Sequence, residues 1–478
     1  MRIGSLQINK NLILMITIIV LIISGVVGYS YINSDLNYYA EITAKKPTCS
    51  QTNLYDRLSC MATLDSIQSK YVSNNYGVNF SSVSSDTNGK GLYTFSDSSK
   101  DEYPVQYYRG EVDNNNVKFA GFCWKIVRTT ETGGTKLIYN GTPDGNGHCT
   151  ATEDATQLSA TNTFNTIGNS LAYVGYMYGK VYEYNEEEKI LSVYNYSFGS
   201  SFTFTDVDPN VSGDGTYTLT NTTTDISAIN THHYTCFNTT GTCSELYYIY
   251  FVDSLSFAFS ISLKDGKSVE DAITEMRINT NDSAIKSAVD SWFNGTFKTY
   301  FTNNSKNYND YLEDTIWCND RSWNTLGTDE TRINNGWNPN GGNTSNFLYY
   351  NAYGRVLSGV PSLTCSSKND SFTVTESTTG NGALTYPVGL LTADEIVMAG
   401  GRYGTDSTYY LSNNKNWWTM SPYCNYHDTA YEFVVFNTGY FNANYLYSSF
   451  GVRPSISLKH NIAIVSGDGQ ADSPYVIE

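Results

Sequence analysis

The segment from Val117 to Gly141, VKFAGFCWKIVRTTETGGTKLIYNG, constrains the fold more than any other. Phe122, Trp124, Ile126 and Arg128 alternate with their neighbours, Glu131 to Gly134 supply turn residues, and Lys136 to Tyr139 return. Successive side chains on a strand point to opposite faces, so this pattern predicts a β-hairpin. Helices are signalled elsewhere. Asp282 or Ser283 caps a run with Ile285, Val289, Trp292 and Phe293 on one face, and Gly295 is expected to end it. TADEIVMAGG holds a capping box, Thr392 with Glu395, and a stop at Gly400. TNLYDRLSCMATLDSI places Leu54, Leu58, Met61 and Leu64 at helical spacing. The class is α+β.

With 478 residues the chain is long enough for a sizeable core. Its 29 basic and 46 acidic residues give a net charge of -17, and Lys and Arg form no stripe that would neutralise phosphates, so nucleic acid is not an expected partner. Leu12 to Val27 is almost wholly aliphatic and, with its flanks, long enough to cross about 30 Å of hydrocarbon. It is expected to be a single transmembrane anchor, with a cleaved signal peptide as the competing reading. Arg2 and Lys10 then keep the N-terminus in the cytoplasm, and the rest of the chain is extracellular at the cell membrane.

The expected organisation is a stub and anchor over 1–34 and a juxtamembrane helix and polar stalk over 35–102. An ectodomain follows over 103–460, carrying a Thr/Ser/Asn/Tyr-rich β insertion at about 182–254, and a closing segment occupies 461–478. That last segment reads as a strand, a Gly-rich turn and a strand. Asp468 and Asp472 lack EF-hand spacing, so a plain turn is expected there. Nine cysteines suit an oxidising exterior. The shortest loops pair Cys49 with Cys60, Cys123 with Cys149, Cys236 with Cys243 and Cys318 with Cys365, leaving Cys424 free; other connectivities stay open. No thiolate metal motif is present, and no metal or cofactor is expected.

From Tyr423 to Phe450 the chain reads YCNYHDTAYEFVVFNTGYFNANYLYSSF, with six of the 41 tyrosines. Tyrosine offers a large contact area for few rotors, and Asn and Ser add adaptable hydrogen bonds, the composition of antibody paratopes. With WWTMSP before it and GVRPSISL after it, this stretch resembles the end of the C-type-lectin-fold variable proteins served by diversity-generating retroelements. Those are related in turn to the formylglycine-generating-enzyme fold. FAGFCWKIVRTTETGGTKLIYNG, VGYMYG, DSAIKSAVDSWF, CNDRSW and LLTADEIVMAGG extend the resemblance to a membrane-anchored bacterial surface subgroup.

The resemblance implies an elaborated C-type-lectin-like domain whose C-terminal face binds a variable protein or glycan ligand. In that family a reverse transcriptase misreads template adenines, turning AAC codons into NNC codons, which never encode Lys, Glu, Gln, Met or Trp. Between Tyr423 and Phe450 only Glu432 departs from that alphabet. Tyr423, Asn425, Tyr426, His427, Asp428, Tyr440, Asn442, Asn444, Tyr445 and Tyr447 are the expected ligand contacts. Trp417, Trp418, Ser421 and Pro422 would form the strand and turn that present them. Val452 and Ile456 would be core positions, with Arg453, before Pro454, pairing with a buried acid. An adenine-misread codon would place Cys424 on the surface.

An enzyme related to formylglycine-generating oxidases is the first alternative, and a structural envelope protein the second. No catalytic residue is assigned, because Cys424 stands alone and His148, His232, His233, His427 and His460 lie in no catalytic motif. Glu313 and Asp314, as sequence neighbours, are expected to point apart at a solvated edge.

Overall fold

The expected hairpin forms, and the main sheet is built on it. The computed structural model describes residues 49–68, 78–84, 89–98, 101–168, 171–181, 274–322, 347–426 and 429–478. The 12–27 segment, the 182–254 insertion, Cys236, Cys243, His427 and Asp428 lie outside the described residues. Among the described residues no helix is long and apolar enough to cross a membrane.

In chain order the elements begin with helix α1 (Leu54–Gln68) and strands β1 (Gly91–Thr94), β2 (Gln106–Arg109), β3 (Asn116–Phe119), β4 (Phe122–Thr129) and β5 (Thr135–Tyr139). Then come β6 (Met177–Tyr178), β7 (Asn281–Asp282), α2 (Ala284–Trp292), α3 (Lys298–Asn303), β8 (Trp317–Cys318), β9 (Phe347–Tyr349), α4 (Asn351–Ser358), β10 (Ser371–Phe372) and α5 (Ala393–Ala399). The chain closes with β11 (Trp417–Tyr426), β12 (Thr429–Val435), β13 (Phe441–Tyr445), β14 (Ser455–Leu458) and β15 (Tyr475–Ile477). The result is a mixed α+β architecture, mostly sheet.

In the seven-stranded sheet β4 is central. It pairs with β3 and β2 along one edge and β5 along the other, while β14 extends β5 and β15 joins β3 in parallel. Residues 91–94, expected in a polar stalk, pair instead as β1 against β2, because Leu92 and Phe95 are apolar enough to be buried beside Tyr107 and Tyr108. The strand expected at the start of the closing segment is reduced to single bridges, Asn53 to Ala463 and Ser466 to Val476. Asp468 lies in a plain turn, its N–H donating to Ser473 O at 3.0 Å.

Ser283 is the cap of α2, its hydroxyl accepting from Lys286 N at 3.2 Å. Gly295 does not end the helix. A π turn, Phe293–Phe297, carries it on into α3. Phe293 and Phe297 are both fully buried and pack on each other, and Phe297 meets Phe119, Phe122 and Trp124. Burying two rings outweighs the roughly 1 kcal/mol penalty of one helical glycine. The capping box of α5 is present, with both Thr392 and Glu395 bonds, and Gly400 stops it.

Among the described residues three disulfide-bonded pairs are present. Cys123–Cys149 and Cys318–Cys365 match the expected pairing, and Cys49 and Cys60 are both disulfide-bonded.

Candidate binding face

A second, four-stranded sheet in the order β13-β12-β11-β9 carries the tyrosine-rich stretch. Its root is set by β11. Met420 N donates to Leu391 O at 2.8 Å, the Thr419 hydroxyl donates to Phe433 O at 2.9 Å, and Ser421 Oγ accepts from Ala393 N at 2.9 Å. Trp417 and Trp418 are fully buried, Trp418 donating from Nε1 to Asn162 O at 2.8 Å. The turn expected at Ser421 and Pro422 does not form. Proline has no N–H to give the ladder, so the pairing with β12 shifts on both sides of Pro422 while the strand runs on.

Val452 and Ile456 are core residues, and Pro454 O accepts from Tyr139 N. Arg453 is buried but, among the described residues, meets no acid. Its guanidinium donates to Tyr139 O, Leu411 O and Asn140 Oδ1 at 2.8–3.2 Å and lies over the Trp417 ring at 5.0 Å. Carbonyl dipoles and a π face satisfy it where a carboxylate was expected, and burial pulls its pKa down to about 10.

The hairpin joining β12 to β13 turns at Gly439, whose φ of +74° and whose Cβ, if present, would collide with Ser407 O, leave room for glycine alone. Strand alternation then puts Tyr431, Phe433 and Val435 on one face, across from Tyr445, Ala443 and Phe441. The inner part of that face is an aromatic cluster. Tyr423 contacts Tyr349, Tyr353, Tyr403 and Phe433 at centroid distances of 5.1–5.9 Å, and its hydroxyl shares a 2.6 Å hydrogen bond with that of Tyr403. Tyr423 is 7% exposed, so of the expected contacts this one belongs to the core.

The outer part is open. Tyr431, Tyr445 and Tyr447 form a ladder, with Tyr431 and Tyr445 centroids at 4.7 Å and Tyr445 and Tyr447 at 5.2 Å with planes 18° apart. Tyr445 and Tyr447 are 41% and 51% exposed. Tyr440, Asn442 and Asn444 are half-buried and alternate onto the opposite side of β13, Asn442 and Asn444 across from Val434 and Glu432, and Tyr440 OH accepts from Asn442 Nδ2 at 2.8 Å. Ala443 N and Tyr445 N donate to Asn442 Oδ1 and Asn444 Oδ1 at 2.8 and 2.7 Å. Asn425 and Tyr426 continue β11 opposite Ala430 and Thr429. Tyr440, Asn442 and Asn444 lie on the other side of β13, so of the expected contacts Tyr445 and Tyr447 come together, and Tyr431 joins them. It was not among the expected contacts, although its alternation with buried Phe433 marks the same face.

Two residues behind the face differ from expectation or pass beneath it. Cys424 is free but fully buried, and burial pushes its thiol well above the ordinary range. It is therefore expected to escape a hydrophilic thiol reagent in native protein and to react once denaturant is added without reductant. Peptide mapping that finds Cys424 modified in the folded state would contradict this burial. Glu432, the one residue outside the NNC alphabet, is fully buried, and neither carboxylate oxygen has a hydrogen-bond partner. Burial pushes its carboxyl well above the usual range, with Arg321 opposing.

A second convergence of polar groups lies between α4, α5 and the β4–β5 hairpin. Glu395 Oε1 accepts from Arg128 Nε at 2.7 Å and Lys136 Nζ at 2.8 Å, and Lys136 stands 4.3 Å over the Trp317 ring. Arg355 donates to both oxygens of Asp394 at 2.8 and 2.9 Å and to Asp320 at 2.7 Å. Three cations meet three carboxylates around a cavity of about 20 Å³, room for roughly one water. Each charge there is answered, which makes the group a clamp between helices and hairpin. Glu313 and Asp314 point apart, Glu313 half-buried and accepting from the Thr130 and Thr132 hydroxyls, Asp314 exposed and accepting from Val374 N and Thr375 N. Among the described residues no group of three or more His, Cys, Asp or Glu is placed to hold a metal ion.

Comparison of the chain with protein-family profiles, with curated proteins and with solved structures found no match in any of the three.

Proposed function

We propose that the chain is a non-catalytic cell-surface protein that binds a protein or glycan ligand through the outer face of the β11–β13 sheet. On this reading its mixed α+β body is an elaborated C-type-lectin-like ectodomain, held at the membrane by the 12–27 segment and diversified at its C-terminal face. The observation that carries the proposal is the exposed Tyr431–Tyr445–Tyr447 ladder, set on strands whose roots are locked in the core. Rigid aromatic side chains lose little entropy on contact, and a locked sheet presents them without reorganisation.

The test uses a ligand selected from a displayed peptide or glycan library against the wild-type ectodomain. Tyr445→Ala and Tyr447→Ala are each expected to weaken its binding by more than about 1 kcal/mol while leaving the thermal midpoint in place. Tyr423→Ala is expected to do something different, costing about 3–5 kcal/mol of stability because it empties the aromatic cluster. Unchanged affinity in both surface variants would remove the face from the binding site. Sequencing the gene's 3′ segment across one lineage tests the diversification: codon changes confined to template adenines support it, and a fixed segment with no template copy nearby counts against it.

A further inference from the structure

We propose that the tyrosine ladder docks a protein partner that presents lysine or arginine side chains, an inference that rests on the binding reading above and names its ligand class. The stretch from Asn416 to Val452 contains no Lys and no Arg, within a chain of net charge -17. An anionic ligand such as a phosphate or a uronate would meet no cation there and would be repelled from afar. Strand addition at β13 is blunted. Among the described residues β13 is an edge of its sheet, and its Ala443 and Tyr445 N–H groups are already capped by Asn442 Oδ1 and Asn444 Oδ1.

A neutral sugar needs amides beside the rings, yet Asn442 and Asn444 alternate onto the side of β13 opposite the ladder, with Asn442 Nδ2 bound to Tyr440 OH and Asn444 Oδ1 accepting from the Ser448 hydroxyl at 2.9 Å. What the face still offers is ring surface in a negative field. Ring quadrupoles attract guanidinium and ammonium groups, Arg more often than Lys, and the charge of the chain speeds a cationic partner's approach at low salt.

The experiment titrates the full chain with three probes, a hepta-arginine peptide, a hepta-glutamate peptide and cellohexaose, following tyrosine ring signals by NMR at low and high salt. The arginine peptide is expected to shift the Tyr431, Tyr445 and Tyr447 rings, less so at high salt. The double variant Tyr445→Leu, Tyr447→Leu is expected to weaken its binding by about five- to thirtyfold with an unchanged circular-dichroism melt. Equal binding by the variant would mean that the peptide follows overall charge, which overturns the proposal. Cellohexaose or the glutamate peptide moving these rings more strongly than the arginine peptide also overturns it, while leaving the binding face intact. Rings silent toward all three probes count against both the partner class and the face.

Discussion

Glu395→Ala is expected to destabilise the fold by about 3–5 kcal/mol at neutral pH, the cost of leaving buried charges without their partner. The carboxylate is 1% exposed and holds Arg128 and Lys136 at once while also bonding Thr392 N at 3.0 Å. Removing it strands two buried cations and opens the cap of α5. Urea unfolding measures this directly: the midpoint should fall with the slope unchanged. A loss below about 1 kcal/mol would mean that the cations find other partners and that the clamp does not hold the helices.

The same group sets an acid limit. Burial alone would raise the Glu395 carboxyl, but Lys136 and Arg128 outweigh it and hold it down at about 2, against an ordinary value of 4.5. Its contribution is therefore fully present above the unfolded value and is lost as pH falls from 4.5 toward 2. In the alanine variant that part of the acid transition should flatten.

Glu432→Gln is expected to act in the opposite direction, raising stability at neutral pH. With no partner on either oxygen, the buried Glu432 carboxyl keeps its proton in the folded state, whereas the unfolded chain releases it above about pH 4.5. The sign follows from proton counting. Above that pH the native state binds more protons than the unfolded state, so stability falls by about 1.4 kcal/mol for each pH unit until the folded group ionises. As pH rises above about 4.5 the wild type should lose stability that the glutamine variant retains, and the two should converge below that pH. Thermal melts across that range decide it. Parallel curves would show that Glu432 is ionised in the fold and has a compensating partner.

The main hairpin, the α5 capping box and two disulfide pairs were legible in the sequence because each depends on residues close together or on a strong local period. The extension past Gly295 was not, since the rings that hold the π turn come from β3 and β4, far away in the chain. The face was half legible. Composition located it, but composition does not tell an inward tyrosine from an outward one, so Tyr423 was expected outside and Tyr431 was overlooked. The residues that cover Tyr423, namely Tyr349, Tyr353 and Tyr403, lie in other segments and left no local sign. Arg453 misled for a related reason, because backbone carbonyls that can satisfy a guanidinium are invisible in a sequence.

The Cys318–Cys365 disulfide closes a loop that contains β9, the edge strand of the four-stranded sheet, and α4. The entropy of a closed loop grows only with the logarithm of its length, by about 0.6 kcal/mol per doubling. By that relation the crosslink keeps β9 and α4 within a loop of 47 residues even in the unfolded chain, so the edge strand loses less entropy in finding its register on β11.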